Sequence, residues 1–141
     1  MTNKPETFIQ KKLIKRKDGL YYRENAKVPF TGLRKEFVYG QLKSKENYKN
    51  GEKHGTWEWF DWDEQLESKE NYQNGERHGP SEFFGYDNGQ LMVKQNYKKD
   101  RLHGPTEWFY ENGQLEFREN YKDGKSNGLR EYFDENGKLI E

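Results

Sequence analysis

The chain has 141 residues, carries 25 basic and 25 acidic side chains, and contains no cysteine. That is the length of one domain, and it leaves no basis for a disulfide framework or a thiolate site. Nine Phe, ten Tyr and four Trp outnumber the 19 Ala, Val, Ile, Leu and Met, and each ring can bury roughly 150–250 Å², so a thin slab held by rings is expected rather than a deep core.

Residues 1–17 read as a basic lead-in strand. Lys11, Lys12, Lys15, Arg16 and Lys17 fall within seven positions, and residues 1–49 hold 13 Lys and Arg against 5 Asp and Glu. Such a run can meet an anionic lipid headgroup or nucleic acid. A solvated strand and turn is the plainer reading, because no matching basic groove follows downstream. The remaining residues, 50–141, hold 12 basic against 20 acidic side chains and favour a basic partner. The start of the chain has no apolar core of signal-peptide length and no membrane span follows. A cytoplasmic protein is therefore expected, although an exported protein without its leader would read the same.

From residue 18 to residue 141 the chain reads as a single repeat domain. Glycines recur at Gly32, Gly55, Gly79, Gly104 and Gly128, spaced 23 to 25 residues apart. Five positions after each stands Phe37, Phe60, Phe84, Phe109 or Phe133, and then a leucine, Leu42, Leu66, Leu91, Leu115 or Leu139. Six residues beyond the first four leucines come Tyr48, Tyr72, Tyr97 and Tyr121, each preceded by asparagine. A fixed period of this length marks a repeat array whose units bury their apolar faces by stacking.

Within one unit, Pro105 to Tyr110 is rich in β-formers and Gln114 to Tyr121 makes a return strand. Asn112-Gly113 between them, like Asn50-Gly51, Asn74-Gly75, Asn88-Gly89 and Asn136-Gly137, is a hairpin signal, since both residue types tolerate positive φ. The expected fold is all-β: an elongated, single-layer antiparallel meander of about a dozen strands, on the order of 55 Å long at about 4.8 Å per strand.

Period two then assigns the faces. The repeated Phe, Leu and Tyr form the expected buried stripe. Trp57, Trp59, Phe83, Trp108 and Tyr132 fall on the alternate face of the outgoing strands, where they are either a contact surface or a cover for that face. As a contact surface they are the expected anchors for a partner, with Glu58, Glu82 and Glu107 orienting it. This aromatic surface should fade towards the N-terminal end, where Glu36 takes the ring position.

Two ladders invite chemistry. His54, His78 and His103 each precede a repeat glycine, but equivalent residues two strands apart lie roughly 10 Å from one another, too far for a zinc that needs nitrogens at about 2 Å. A turn histidine bonded to local backbone fits better. Glu58, Glu82, Glu107 and Glu131 recur once per unit, whereas an active site marks one place, so pairing with Lys69, Lys94 or Arg118 explains them more plainly than glycosidase-like catalysis. No enzyme, cofactor or metal is expected.

The phrases Tyr110-Glu111-Asn112-Gly113-Gln114-Leu115, Asn71-Tyr72-Gln73-Asn74-Gly75 and His78-Gly79 resemble the MORN-repeat-variant proteins of bacteria, as does the lead-in Asp18-Gly19-Leu20-Tyr21-Tyr22 followed by Pro29-Phe30-Thr31-Gly32. The resemblance implies the MORN-like fold. It also implies an antitoxin component of a toxin–antitoxin system, which would bind a cognate toxin and neutralise it by covering its surface. Membrane or phosphoinositide contact through the basic segment is the alternative, and self-assembly through open sheet edges a second one.

Overall fold

A computed structural model describes residues 12–141. Strands β1 (Leu13–Lys15) and β2 (Tyr21–Arg23) form an antiparallel hairpin. The turn of this hairpin contains the 17/18 junction, so the basic lead-in is paired to the segment that follows it. The other twelve strands form one antiparallel sheet. They are β3 (Gly32–Val38), β4 (Gln41–Lys49), β5 (Glu52–Phe60), β6 (Leu66–Gln73), β7 (Glu76–Arg77), β8 (Gly79–Phe84), β9 (Leu91–Lys98), β10 (Arg101–Leu102), β11 (Gly104–Phe109), β12 (Leu115–Lys122), β13 (Lys125–Ser126) and β14 (Glu131–Tyr132). Their order is β13-β12-β11-β9-β8-β6-β5-β4-β3, with β7 beside β6, β10 beside β9 and β14 beside β12, so that each line of chain lies next to the one before it. Lys11 lies outside the described residues.

In two outgoing lines the pairing breaks just before the repeat glycine, at His78 and His103, so that β7 and β8, and β10 and β11, are separate strands, whereas β5 runs through Gly55. Gly79 and Gly104 sit at φ +98° and +99°, a backbone conformation that costs glycine least. The kink removes the next carbonyl from the ladder, and a buried carbonyl needs a donor. The asparagine of the Asn-Tyr pair supplies it. Asn47 Nδ2 donates to Thr56 O at 2.7 Å, and Asn71 and Asn96 do the same to Pro80 O and Pro105 O at 2.8 Å. Glycine and asparagine are thus one device, the glycine standing eight residues after the asparagine.

The two long edges of the sheet turn differently. On one, Asn50-Gly51, Asn74-Gly75, Lys99-Asp100 and Asp123-Gly124 have both residues at positive φ, the geometry of two-residue hairpins. On the other, among the three Asn-Gly pairs only Gly89, Gly113 and Gly137 are at positive φ. Here the expectation for both residues of Asn112-Gly113 is corrected. Asn112 contributes its side chain instead, accepting from Gln114 N at 2.9 Å, and Asn88 accepts likewise from Gln90 N at 3.0 Å.

The tight turns also bond from unit to unit. Gly51 N donates to Phe30 O, Gly75 N to Lys53 O, Asp100 N to Arg77 O and Gly124 N to Leu102 O, all at 2.8–3.0 Å. The N-terminal hairpin joins this row through Tyr21 N to Gly51 O at 2.9 Å. These bonds give the array its nearest-neighbour coupling. The rings of Phe30, Tyr48, Trp57 and Tyr72 form the buried core, with centroids of successive pairs 5.2 to 5.7 Å apart.

Candidate functional site: an aromatic row on one sheet face

A β-bulge recurs in every complete unit and reverses the expected faces. Between Trp59 and Phe60 the return strand carries an extra residue, Glu67; Lys43, Met92 and Glu116 play the same part beside Phe37, Phe84 and Phe109. Two residues then oppose one, and the parity read from sequence changes at that point. Phe and Leu pair with one another on one side of the bulge, as in Phe60 with Leu66. The tyrosines share a face with the tryptophans, as the ring contacts of Trp57 with Tyr48 and Tyr72 show. The expected Phe, Leu and Tyr stripe is therefore split.

On the tryptophan face, register places Glu36, Ser44, Trp59, Ser68, Phe83, Val93, Trp108, Phe117 and Tyr132 side by side across nine strands. Cross-strand neighbours in register share a face. Trp108 and Tyr132 each stack on Phe117 with centroids 4.8 Å apart. Phe83 and Tyr132 keep 38% and 37% of their surface in solvent, while Trp59 and Trp108 are half-buried. At the N-terminal end the row is Glu36 and Ser44, so the aromatic surface fades there.

Trp57 does not belong to this surface. It stands two residues before Trp59, is 5% exposed, and donates its indole N–H to Asn47 O at 2.7 Å. Its place in the next units is held by Ser81 and Thr106, also buried. Glu58, Glu82 and Glu107 are separated from the rings too. They lie one residue away, on the opposite face, in a second row: Lys35, Lys45, Glu58, Lys69, Glu82, Lys94, Glu107, Arg118, Glu131. From Lys45 onward its charges alternate strand by strand. Arg118 donates to Glu131 at 2.9 Å. A partner on the ring face cannot touch these carboxylates, which stand in register opposite Lys69, Lys94 and Arg118.

A third row was missed in the sequence because glutamates are common everywhere in it. Glu46, Glu70, Gln95 and Glu119 lie on the ring face, each accepting from the hydroxyl of the tyrosine two residues on: Tyr48, Tyr72, Tyr97 and Tyr121, at 2.5 to 3.3 Å. The Glu-Asn-Tyr spacing was a readable signal for it. Burial, followed by the bond to Glu70, raises the Tyr72 hydroxyl to about 12. The bond from Ser126, with further donors Arg130 and Tyr121, holds the Glu119 carboxyl below the usual range.

The remaining residues singled out in the sequence sit on the tight-turn edge. His54 and His103 accept at Nδ1 from Asn74 N and Asp123 N, both at 3.5 Å. The backbone they meet belongs to the following turn, twenty residues on, so they link units. Lys12, Lys15, Arg16 and Lys17 are exposed. The Arg16 guanidinium lies 4.0 Å from the centre of the Tyr22 ring, and Lys15 borders a depression with Gly51, Lys53 and Gly75.

The MORN repeat variant family matches residues 53–74, 77–99, 102–123 and 126–141, more than half of the chain. The chain belongs to the MORN repeat variant family. MORN repeats are generally modules that bind proteins or membranes, not a known enzyme family. The β3–β4 hairpin precedes the matched segments, yet it repeats the bulge and the turn-to-turn bonding of the MORN units. No curated protein matches the chain. Among the described residues, no helix is long and apolar enough to cross a membrane.

Proposed function

We propose that this protein is a non-enzymatic binding scaffold that holds a basic protein partner against the aromatic row. The observation that carries the reading is the unbroken line Phe83, Val93, Trp108, Phe117 and Tyr132, partly open to solvent on a sheet over which, among the described residues, no second layer lies. Rings of this size bury much area with few rotors, which suits anchors. Beside them, on the long turns, stand the exposed acids Asp63, Glu64, Asp87, Glu111 and Glu135, which favour a positively charged partner. In its most specific form the reading is antitoxin-like: the partner is a toxin, neutralised by occupation of its surface. The sequence resemblance supports that form.

Capture from the source lysate at physiological salt tests it. A single stoichiometric protein is expected, lost with Trp59→Ala/Trp108→Ala and kept with Glu82→Lys on the opposite face. The reverse pattern would sink the assignment of the face.

A second reading has its own observation. Lys15, Arg16 and Lys17 form an exposed basic cluster at the tight-turn edge, where Lys53 stands beside Asp18, Glu52 and Glu76; the cluster itself suits an anionic lipid surface. Binding to vesicles containing phosphatidylserine that fails on neutralising residues 15–17 would favour it.

A further inference from the structure

Asn-Gly and Asp-Gly pairs are where a peptide chain rearranges without an enzyme, because glycine has no side chain to keep its peptide nitrogen off the preceding side-chain carbonyl. That nitrogen must lose its proton and reach the side-chain carbon, so a hydrogen bond that holds its N–H opposes the reaction. This chain has eight such pairs, and in seven the glycine N–H is held. Gly51, Gly75 and Gly124 donate across to the preceding unit. Gly19, Gly89, Gly113 and Gly137 donate back into their own turns, to Arg16 O, Gly85 O, Tyr110 O and Asp134 O, at 2.9–3.0 Å. Asn127-Gly128 is the exception. Among the described residues, neither the Gly128 N–H nor the Asn127 carboxamide has a hydrogen-bond partner, whereas the carboxamides of Asn88 and Asn112 are engaged by Gln90 N and Gln114 N. Asn127 stands where earlier units have His54, His78 and His103. There the next residue, Gly55, Gly79 or Gly104, lies in register with Tyr72, Tyr97 or Tyr121 of a return strand. Among the described residues no strand is in register with Gly128. Both members of the pair are exposed, and nothing stands within 4 Å of where a Gly128 side chain would begin.

We infer that Asn127 is the chain's site of spontaneous conversion to isoaspartate. The Gly128 nitrogen gives its proton to solvent and attacks Asn127 Cγ. The new N–Cγ bond closes a succinimide ring as the Cγ–Nδ2 bond breaks and ammonia leaves. Water then adds to one of the two ring carbonyls, opening the ring to aspartate or, with the main chain now running through Cγ, to isoaspartate. Water is the only co-reactant and nothing is oxidised or reduced. The product adds one negative charge to a chain whose formal net charge is zero. In the isoaspartyl form it also inserts a backbone carbon between Ser126 and Arg130, the two residues that bond to Glu119 from either side, at 2.6 and 3.0 Å.

The folded protein is kept at neutral pH and physiological temperature, then digested under mildly acidic conditions, where the ring does not form. The Asn-Gly peptides are compared by mass spectrometry, with isoaspartate separated from aspartate by chromatography. Conversion at Asn127 is expected to exceed that at Asn50, Asn74, Asn88, Asn112 and Asn136 by at least about fivefold, the factor that one typical hydrogen bond supplies. In urea, where no bond holds any of the six glycines, the six rates are expected to converge. Asn127→His restores the residue of the earlier units and is expected to remove most of the acidic forms that ion exchange separates from the aged protein. A folded protein in which any of the other five asparagines converts as fast as Asn127 overturns the inference, as does an Asn127 that stays intact when folded. A spread of rates that persists in urea overturns it too, since local sequence and not the fold would then set the order. So does an N127H protein that gains acidic forms at an undiminished rate.

Discussion

The two halves of the sheet place their rings in different rows of the same backbone. In the first half, Phe30, Tyr48, Trp57 and Tyr72 close on each other beside the β1–β2 hairpin. In the second, Ser81 and Thr106 stand where Trp57 does, and the large rings are left in the row two residues along, the row of Trp59, at Phe83, Trp108 and Tyr132, with Phe117 between the last two. A two-residue step keeps a side chain on the same face but moves it to another row. The first placement makes a core. The second leaves rings at the surface, where another molecule can cover them. One repeat therefore serves stability or contact according to which row holds the large side chain.

The sharpest break of this comparison is a pair of truncations. Trp57→Ala is expected to cost about 3–5 kcal/mol, as for a buried ring, whereas Trp108→Ala is expected to cost about 1–2 kcal/mol, as ordinary substitutions do. Urea unfolding of both measures the gap, and equal losses would erase the distinction between the halves.

Gly51→Ala follows in size and bears on the first half alone. Its added Cβ would stand 2.8 Å from the Cβ atoms of Leu20 and Pro29, at a φ of +79°. A loss of about 2–3 kcal/mol is expected from strain of this kind, against a smaller loss for Gly124→Ala, where the nearest atom is at 3.9 Å. Thermal melts of the two variants decide it.

A third test uses pH on the second half. The Glu119 carboxyl is depressed in the folded chain, so its contribution is present above the unfolded value, about 4.3, and disappears as pH falls through the lower folded value. Arg130→Ala and Ser126→Ala should flatten that acid limb. An unchanged limb in both would show that the bonds to Glu119 do not hold its charge.

The smallest effect belongs to the opposite face. Glu82→Lys places three like charges in line with Lys69 and Lys94 and is expected to cost about 0.2–1 kcal/mol per pair while leaving partner capture unchanged.

The repeat period, the all-β meander and the strand number were legible because glycine, asparagine and tyrosine mark fixed backbone positions. The cross-strand partners of Glu58, Glu82 and Glu107 were legible for the same reason. The faces were not. Parity fails at the recurrent bulge, and residues such as Glu67 and Glu116 that create it look like any other surface glutamate. That is how Tyr72 was expected with Leu66 when it packs on Trp57. Trp57 and Trp59 share parity, so alternation could not tell the buried ring from the surface one. Only the packing of the Tyr48 and Tyr72 rings on Trp57 separates them.

Hydrogen exchange at the tryptophan indoles, followed by NMR on the unmodified protein, tests the division between core ring and surface ring most directly. The Trp57 indole N–H, buried and bonded to Asn47 O, is expected to exchange far more slowly than those of Trp59, Trp108 and the exposed Trp62. A Trp57 signal that exchanges as fast as Trp62, or a Trp108 signal as protected as Trp57, would contradict it.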